Sequence, residues 1–110
     1  MPNVGIRIMS DDETIAAGTW GIDWTDQLAT GETIASVVCT VRENEPDTGT
    51  DVTATVCPAG AIKDATSKMT TCQLLGSGMD AAGLYYVHHK VTTTSGSILN
   101  DYFEVDCGTS

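Results

Sequence analysis

The chain has 110 residues, with 5 Lys plus Arg against 15 Asp plus Glu and a formal net charge of −10. This length fits one domain with a core of its own, and the charge argues against nucleic acid or an anionic membrane as a direct partner. Thr occurs 17 times and Val 9 times, while Leu is scarce. Thr and Val are stiff at the first side-chain torsion and favour extended backbone, so the composition is that of a β protein.

In chain order, Val4 to Met9 alternates and predicts an edge strand or an arm, which sets residues 1–10 apart from a domain over 11–110. Thr19 to Trp24 reads as a strand, with Trp20, Ile22 and Trp24 on one parity and both tryptophans buried. Leu28 then plugs the end of the core, and Thr30-Gly31-Glu32 turns the chain. The strand Thr33–Val41 follows, with Val37, Cys39 and Val41 facing one way. Ile34 and Val38 fall on the other parity, which calls for a bulge or a second covered face.

Arg42 to Asp51 is polar, with Pro46 and Gly49, and predicts an exposed loop. Val52 to Cys57 reads as a short strand with Val52, Ala54 and Val56 inward, and Ala61 to Ser67 as a link. Met69–Leu75 is a further strand, closed by Gly76-Ser77-Gly78. In the run from Asp80 to Thr93, one parity holds Tyr85, Val87, His89 and Val91, and the other Leu84, Tyr86, His88 and Lys90. Thr94 to Ser97 is a hairpin turn. The last strand, Ile98–Cys107, sets Phe103, Val105 and Cys107 against Tyr102, Glu104 and Asp106. About seven short strands at this spacing predict an all-β sandwich, and no β-α-β unit is present.

The residues assemble no catalytic constellation, and the chain is expected not to be an enzyme. No Ser sits in a G-x-S-x-G elbow. The acidic stretches Asp11 to Glu13 and Glu43 to Asp51 lack a calcium-loop pattern and read as solvated surface. No metal and no cofactor is expected. His88 and His89 face opposite sides of a strand and cannot chelate together; a zinc pairing of His89 with Cys107 remains conceivable. Cys39, Cys57, Cys72 and Cys107 contain no C-x-x-C pair. They allow two disulfides in three connectivities, Cys39–Cys107 being the first to check, but the opening Met1 to Glu13 does not read as a signal peptide, and buried free thiols fit the folding in a cytoplasm that this predicts.

The surface carries the remaining signal. Tyr86, His88 and Tyr102 share the outward parity of two strands that would pair, making a semi-polar aromatic patch for protein contact. The opening Asp23-Trp24, Leu28, Gly31-Glu32-Thr33-Ile34, and then Gly83 to Tyr86, Thr93 to Gly96 and Phe103 to Val105 follow one another in an order that resembles a family of small structural proteins of tailed bacteriophages.

That resemblance covers about Asp11 to Cys107 and implies an immunoglobulin-like β-sandwich. It also implies a virion component assembled in the host cytoplasm. Foremost this would be a capsid decoration or cement protein on the major capsid protein, with a neck or tail accessory bound to other virion proteins as the alternative; a carbohydrate- or receptor-binding module is a reading that competes with the resemblance. A homo-oligomer of cyclic symmetry is the default route to repeated contacts on a virion.

Overall fold

The computed structural model describes residues 6–10, 13–45, 48–64, 68–79 and 83–108, with the side chains of 6–10 and 108 left aside. Its elements are β1 (Ile6–Ser10), β2 (Thr14–Ile15), β3 (Gly21–Asp23), β4 (Ile34–Glu43), β5 (Thr50–Asp51), α1 (Thr53–Val56), β6 (Ala61–Lys63), β7 (Met69–Cys72), β8 (Leu74–Leu75), β9 (Gly83–Thr93) and β10 (Ile98–Gly108). The fold is all-β, and its described strands form three sheets. A five-stranded sheet runs β1-β10-β9-β4-β5, a three-stranded one β3-β7-β6, and β2 pairs with β8. Every pairing is antiparallel except β1 with β10, which is parallel.

The core is where strand periodicity put it. Val41 on β4, Tyr85, Val87 and Val91 on β9, and Phe103, Val105 and Cys107 on β10 are all buried. Ile22, Trp24, Val56, Cys57, Cys72, Leu74 and Met79 close over them from the other sheets and from α1. Trp24 is fully buried, whereas Trp20 and Leu28 are partly buried and pack against the core. Ile34 is buried despite its parity, because the β4–β9 register shifts between Ile34 and Ser36. That bulge turns Ile34 inward and leaves Val38 60% exposed. Gly21 lets β3 lie close on β7: a Cβ there would stand 1.9 Å from the Thr70 carbonyl oxygen.

Three sequence expectations need correction. Val52 to Cys57 is a helical turn, not a strand: Asp51 Oδ1 accepts both the N–H and the hydroxyl of Thr53, which starts a turn in place of an extended run. Ala54 is therefore exposed, while Val56 and Cys57 are buried. Met69 to Leu75 splits into β7 and β8, which belong to different sheets. Arg42 to Asp51 is a hairpin more than a loop, since β4 continues to Glu43 and pairs with β5; Asn44 takes φ 71° at the turn, and Arg42 Nη1 donates to the Gly49 carbonyl at 3.1 Å. Of the predicted arm, residues 4 and 5 lie outside the described residues, as do Asp11, Asp12, Pro46 and Asp47; Ile6–Ser10 is an edge strand.

One acidic side chain latches two turns. Glu32 accepts from Thr93 Oγ1 at 2.6 Å, from the Ser95 hydroxyl, and from the Ala29 amide at 3.0 Å. The Ser95, Thr93 and Ala29 bonds, in that order, hold its carboxyl below the usual glutamate range. Such a group adds stability above its unfolded value of about 4.3, and loses it as pH falls through the lower folded value. The stability gap between wild type and Glu32→Gln, read by urea unfolding, should therefore be widest at neutral pH and close in acid. Trp24→Ala should cost about 3–5 kcal/mol, the usual loss for a buried large aromatic, seen as a lower urea midpoint.

Candidate interaction face and the buried thiol cluster

The outward face of the large sheet is laid out by register. Thr40, His88 and Tyr102 stand side by side across β4, β9 and β10. One row along come Arg42, Tyr86 and Glu104, and on the other side Val38, Lys90 and Asn100. The rings touch: Tyr86 meets Tyr102 edge-on at 5.7 Å, and His88 meets Tyr102 at 5.1 Å. The three residues singled out from the sequence thus form one cluster. Tyr86 is its base, buried in the sheet, with His88 and Tyr102 partly exposed above it. Burial first, then the Glu104 and Glu45 carboxylates, push the Tyr86 phenol above its ordinary value, so it stays neutral. Val38 and Ile98, 60% and 57% exposed, extend the same face with apolar surface.

The inward face carries an arrangement that the sequence did not disclose. Cys39 on β4, Cys57 at the C-cap of α1 and Cys72 on β7 are all buried, with their sulfurs within 4.8 Å of one another. They are the one group of three metal-ligating side chains among the described residues. Cys107, by contrast, pairs with Gly83 while His89 pairs with Asp101; six residues of strand, about 20 Å, separate the two positions. The His89–Cys107 zinc pairing is thereby ruled out. A Cys39–Cys107 disulfide is absent too, all four cysteines being free.

His89 borders the cluster. It is fully buried, lies opposite Cys39 across the β4–β9 ladder, and packs edge-on against Phe103 at 6.0 Å. Its Nδ1 is 2.6 Å from Thr70 Oγ1, which also accepts the Trp24 Nε1–H at 2.9 Å. Thr70 and Cys72 share one side of β7, so the threonine that holds the imidazole stands beside the cysteine that joins the cluster. Among the described residues, His89 Nε2 has no hydrogen-bond partner. Burial pushes the imidazole down to about 4, so it is neutral near pH 7.

Within the cluster, S–H bonds from Cys39 and then Cys72 pull the Cys57 thiol down. The bond to Cys57 raises Cys39, and the bonds to Cys39 and then Cys57 raise Cys72. Asp101, across from His89, accepts the Tyr102 amide at 2.9 Å, and burial raises its carboxyl. No spacing in the sequence announced this cluster, because three separate elements supply its sulfurs.

A family model described as "Podophage GP4 fiber-tail adaptor protein gp77" matches residues 12–106. Among solved structures, CopC from Methylosinus trichosporium OB3b is similar at 21% identity and a TM-score of 0.48, over 72% of this chain and 68% of that one. That likeness is too slight to carry an argument. No curated protein is matched significantly. The family match supports a bacteriophage structural protein, and it favours the tail-accessory expectation over capsid decoration.

Burial governs the thiols whatever their acidity. Ellman's reagent should modify none of the four cysteines in the folded protein and all four in urea. A fast-reacting fraction in the native state would contradict the packing.

Proposed function

The chain belongs to the podophage GP4 fiber-tail adaptor protein gp77 family, and on that premise we propose that it is a non-catalytic part of the virion tail. It joins other virion proteins through the outer face of its large sheet. Family membership is the observation that carries this reading. It points to tail components as partners ahead of the major capsid protein, which the capsid-decoration reading would require.

The geometry supports such a role. A contact surface needs rigid amphipathic side chains that lose little entropy on docking, and stacked Tyr and His on paired long strands meet that need. Tyr86, His88 and Tyr102 would be the central contacts, with Val38 and Ile98 adding apolar area and Lys90 and Asn100 a polar border. Arg42, Lys90 and Glu104 give this face charges of both signs, which suits a partner with complementary charges around its own apolar centre. We read the stacked sheets as a variant of the immunoglobulin-like sandwich, supported by the long β4, β9 and β10 strands over a common core. Several copies arranged by cyclic symmetry would multiply weak contacts.

Tyr102→Ala with His88→Ala should lower the urea midpoint modestly, by the lost ring contacts of about 0.5–1.5 kcal/mol each, with the protein still folded, and weaken co-purification with tail particles by roughly 30-fold, the value of a contact hot spot near 2 kcal/mol. Ile62→Ser, at an exposed apolar position on β6, should leave incorporation unaffected. Equal loss from both sets of changes would move the interface away from the large sheet.

A further inference from the structure

We propose that Cys39, Cys57, Cys72 and His89 form a structural zinc site that ties the two main sheets and α1 together. This inference rests on the interior geometry and is independent of the tail-adaptor reading.

Three observations carry it. First, three buried sulfurs from three elements lie within 4.8 Å of one another. Tetrahedral zinc with Zn–S bonds near 2.3 Å sets its sulfurs about 3.8 Å apart, so gathering them needs a contraction of no more than about 1 Å per pair. Second, a fourth donor of the right type borders them. His89 is fully buried, sits opposite Cys39 in the ladder, and keeps Nε2 without a hydrogen-bond partner among the described residues. It is not one of the 4.8 Å set, so coordination swings Nε2 toward the sulfurs about the Nδ1–Thr70 bond, which is kept. A buried, unsatisfied ring nitrogen is costly, and ligation removes the cost.

Third, the outer partner that a ligating histidine needs is in place. With Nε2 on the metal, the proton lies on Nδ1 and is donated to Thr70 Oγ1 at 2.6 Å. That oxygen also accepts from Trp24 Nε1, using its second lone pair.

Three thiolates and one imidazole are a common structural donor set for Zn²⁺. Binding releases three protons, one from each thiol, and leaves a complex of net charge −1. No electron transfer is involved. Burial closes the site to an exchangeable water and so to hydrolytic use; the contribution is to folding. The same sulfurs could instead be joined pairwise as a disulfide, with the third left as a thiol, and the experiment separates the two.

The full chain, purified under reductant, is dialysed against metal-free buffer and analysed for zinc by mass spectrometry of the elements. One equivalent per chain is expected. Cobalt(II) added to chain stripped with a chelator should give the intense ligand-field and sulfur charge-transfer bands of a tetrahedral thiolate site, saturating at one equivalent and displaced by Zn²⁺. Cys107→Ser should keep the bands, Cys57→Ser should lose them, and Thr70→Val should weaken the metal about 10–100-fold. The wild-type cobalt titration does not depend on any variant folding. Absence of both bound zinc and the cobalt bands in reduced wild-type protein would overturn the proposal. So would bands that survive in Cys57→Ser, or a native disulfide among Cys39, Cys57 and Cys72.

Discussion

The Thr70 hydroxyl holds the two layers in register. It accepts from the indole of Trp24, at the end of β3, and meets the imidazole of His89, in the middle of β9. Both partners are fully buried, and so is Thr70. A polar group in such a place is costly unless satisfied, so each member fixes the position of the next. Ile22 and Leu74 can tolerate small shifts, because dispersion contacts are not directional. The Trp24–Thr70–His89 chain cannot slide by one residue without stranding a donor, since a one-residue slip of β7 would turn Thr70 away. The register of the small sheet over the large one follows from that chain.

Fixing His89 also divides the large sheet. On β9 the residues on one side, Tyr85, Val87, His89 and Val91, belong to the core, and those on the other, Tyr86, His88 and Lys90, form the outer face. The adjacent histidines consequently serve opposite ends of the molecule. His88 leans on Tyr102 outside, while His89 leans on Phe103 inside. An aromatic outer face is useful for binding only if its rings are held still, and here each ring sits on a strand whose reverse side is anchored in the core.

Strict alternation made much of this legible. Phe103, Val105 and Cys107, the inward set on β9, and the buried Trp24 are all where period-two reading puts them. The Tyr86–His88–Tyr102 cluster was legible for the same reason, given only that β9 and β10 pair. Two things were not. Val52 to Cys57 sets Val52, Ala54 and Val56 at alternate positions, yet one hydrogen-bonding pair, Asp51 with Thr53, decides for a helical turn; the same Asp-x-Thr arrangement precedes the 3₁₀ turn Thr25–Gln27, where Asp23 accepts from Thr25. The cysteine cluster was invisible because its spacing of 18 and 15 residues reflects loop lengths. Only the stacking of β7 and α1 on β4 brings the sulfurs together.

The two unforeseen features are linked. Had Val52 to Cys57 stayed extended, Val56 and Cys57 would face opposite sides of a strand, and one of them would leave the core. The turn of α1 lets both point inward at once, so Val56 fills the apolar layer while Cys57 reaches Cys39 and Cys72. In a chain with net charge −10 and only five leucines, self-repulsion opposes folding and the apolar core is modest. A cross-link at the meeting point of both sheets and α1 would add to that core, and it would stiffen the strands whose outer sides carry the aromatic face. The requirement on Asp51 is then indirect: its cap on Thr53 decides whether the third sulfur faces the other two.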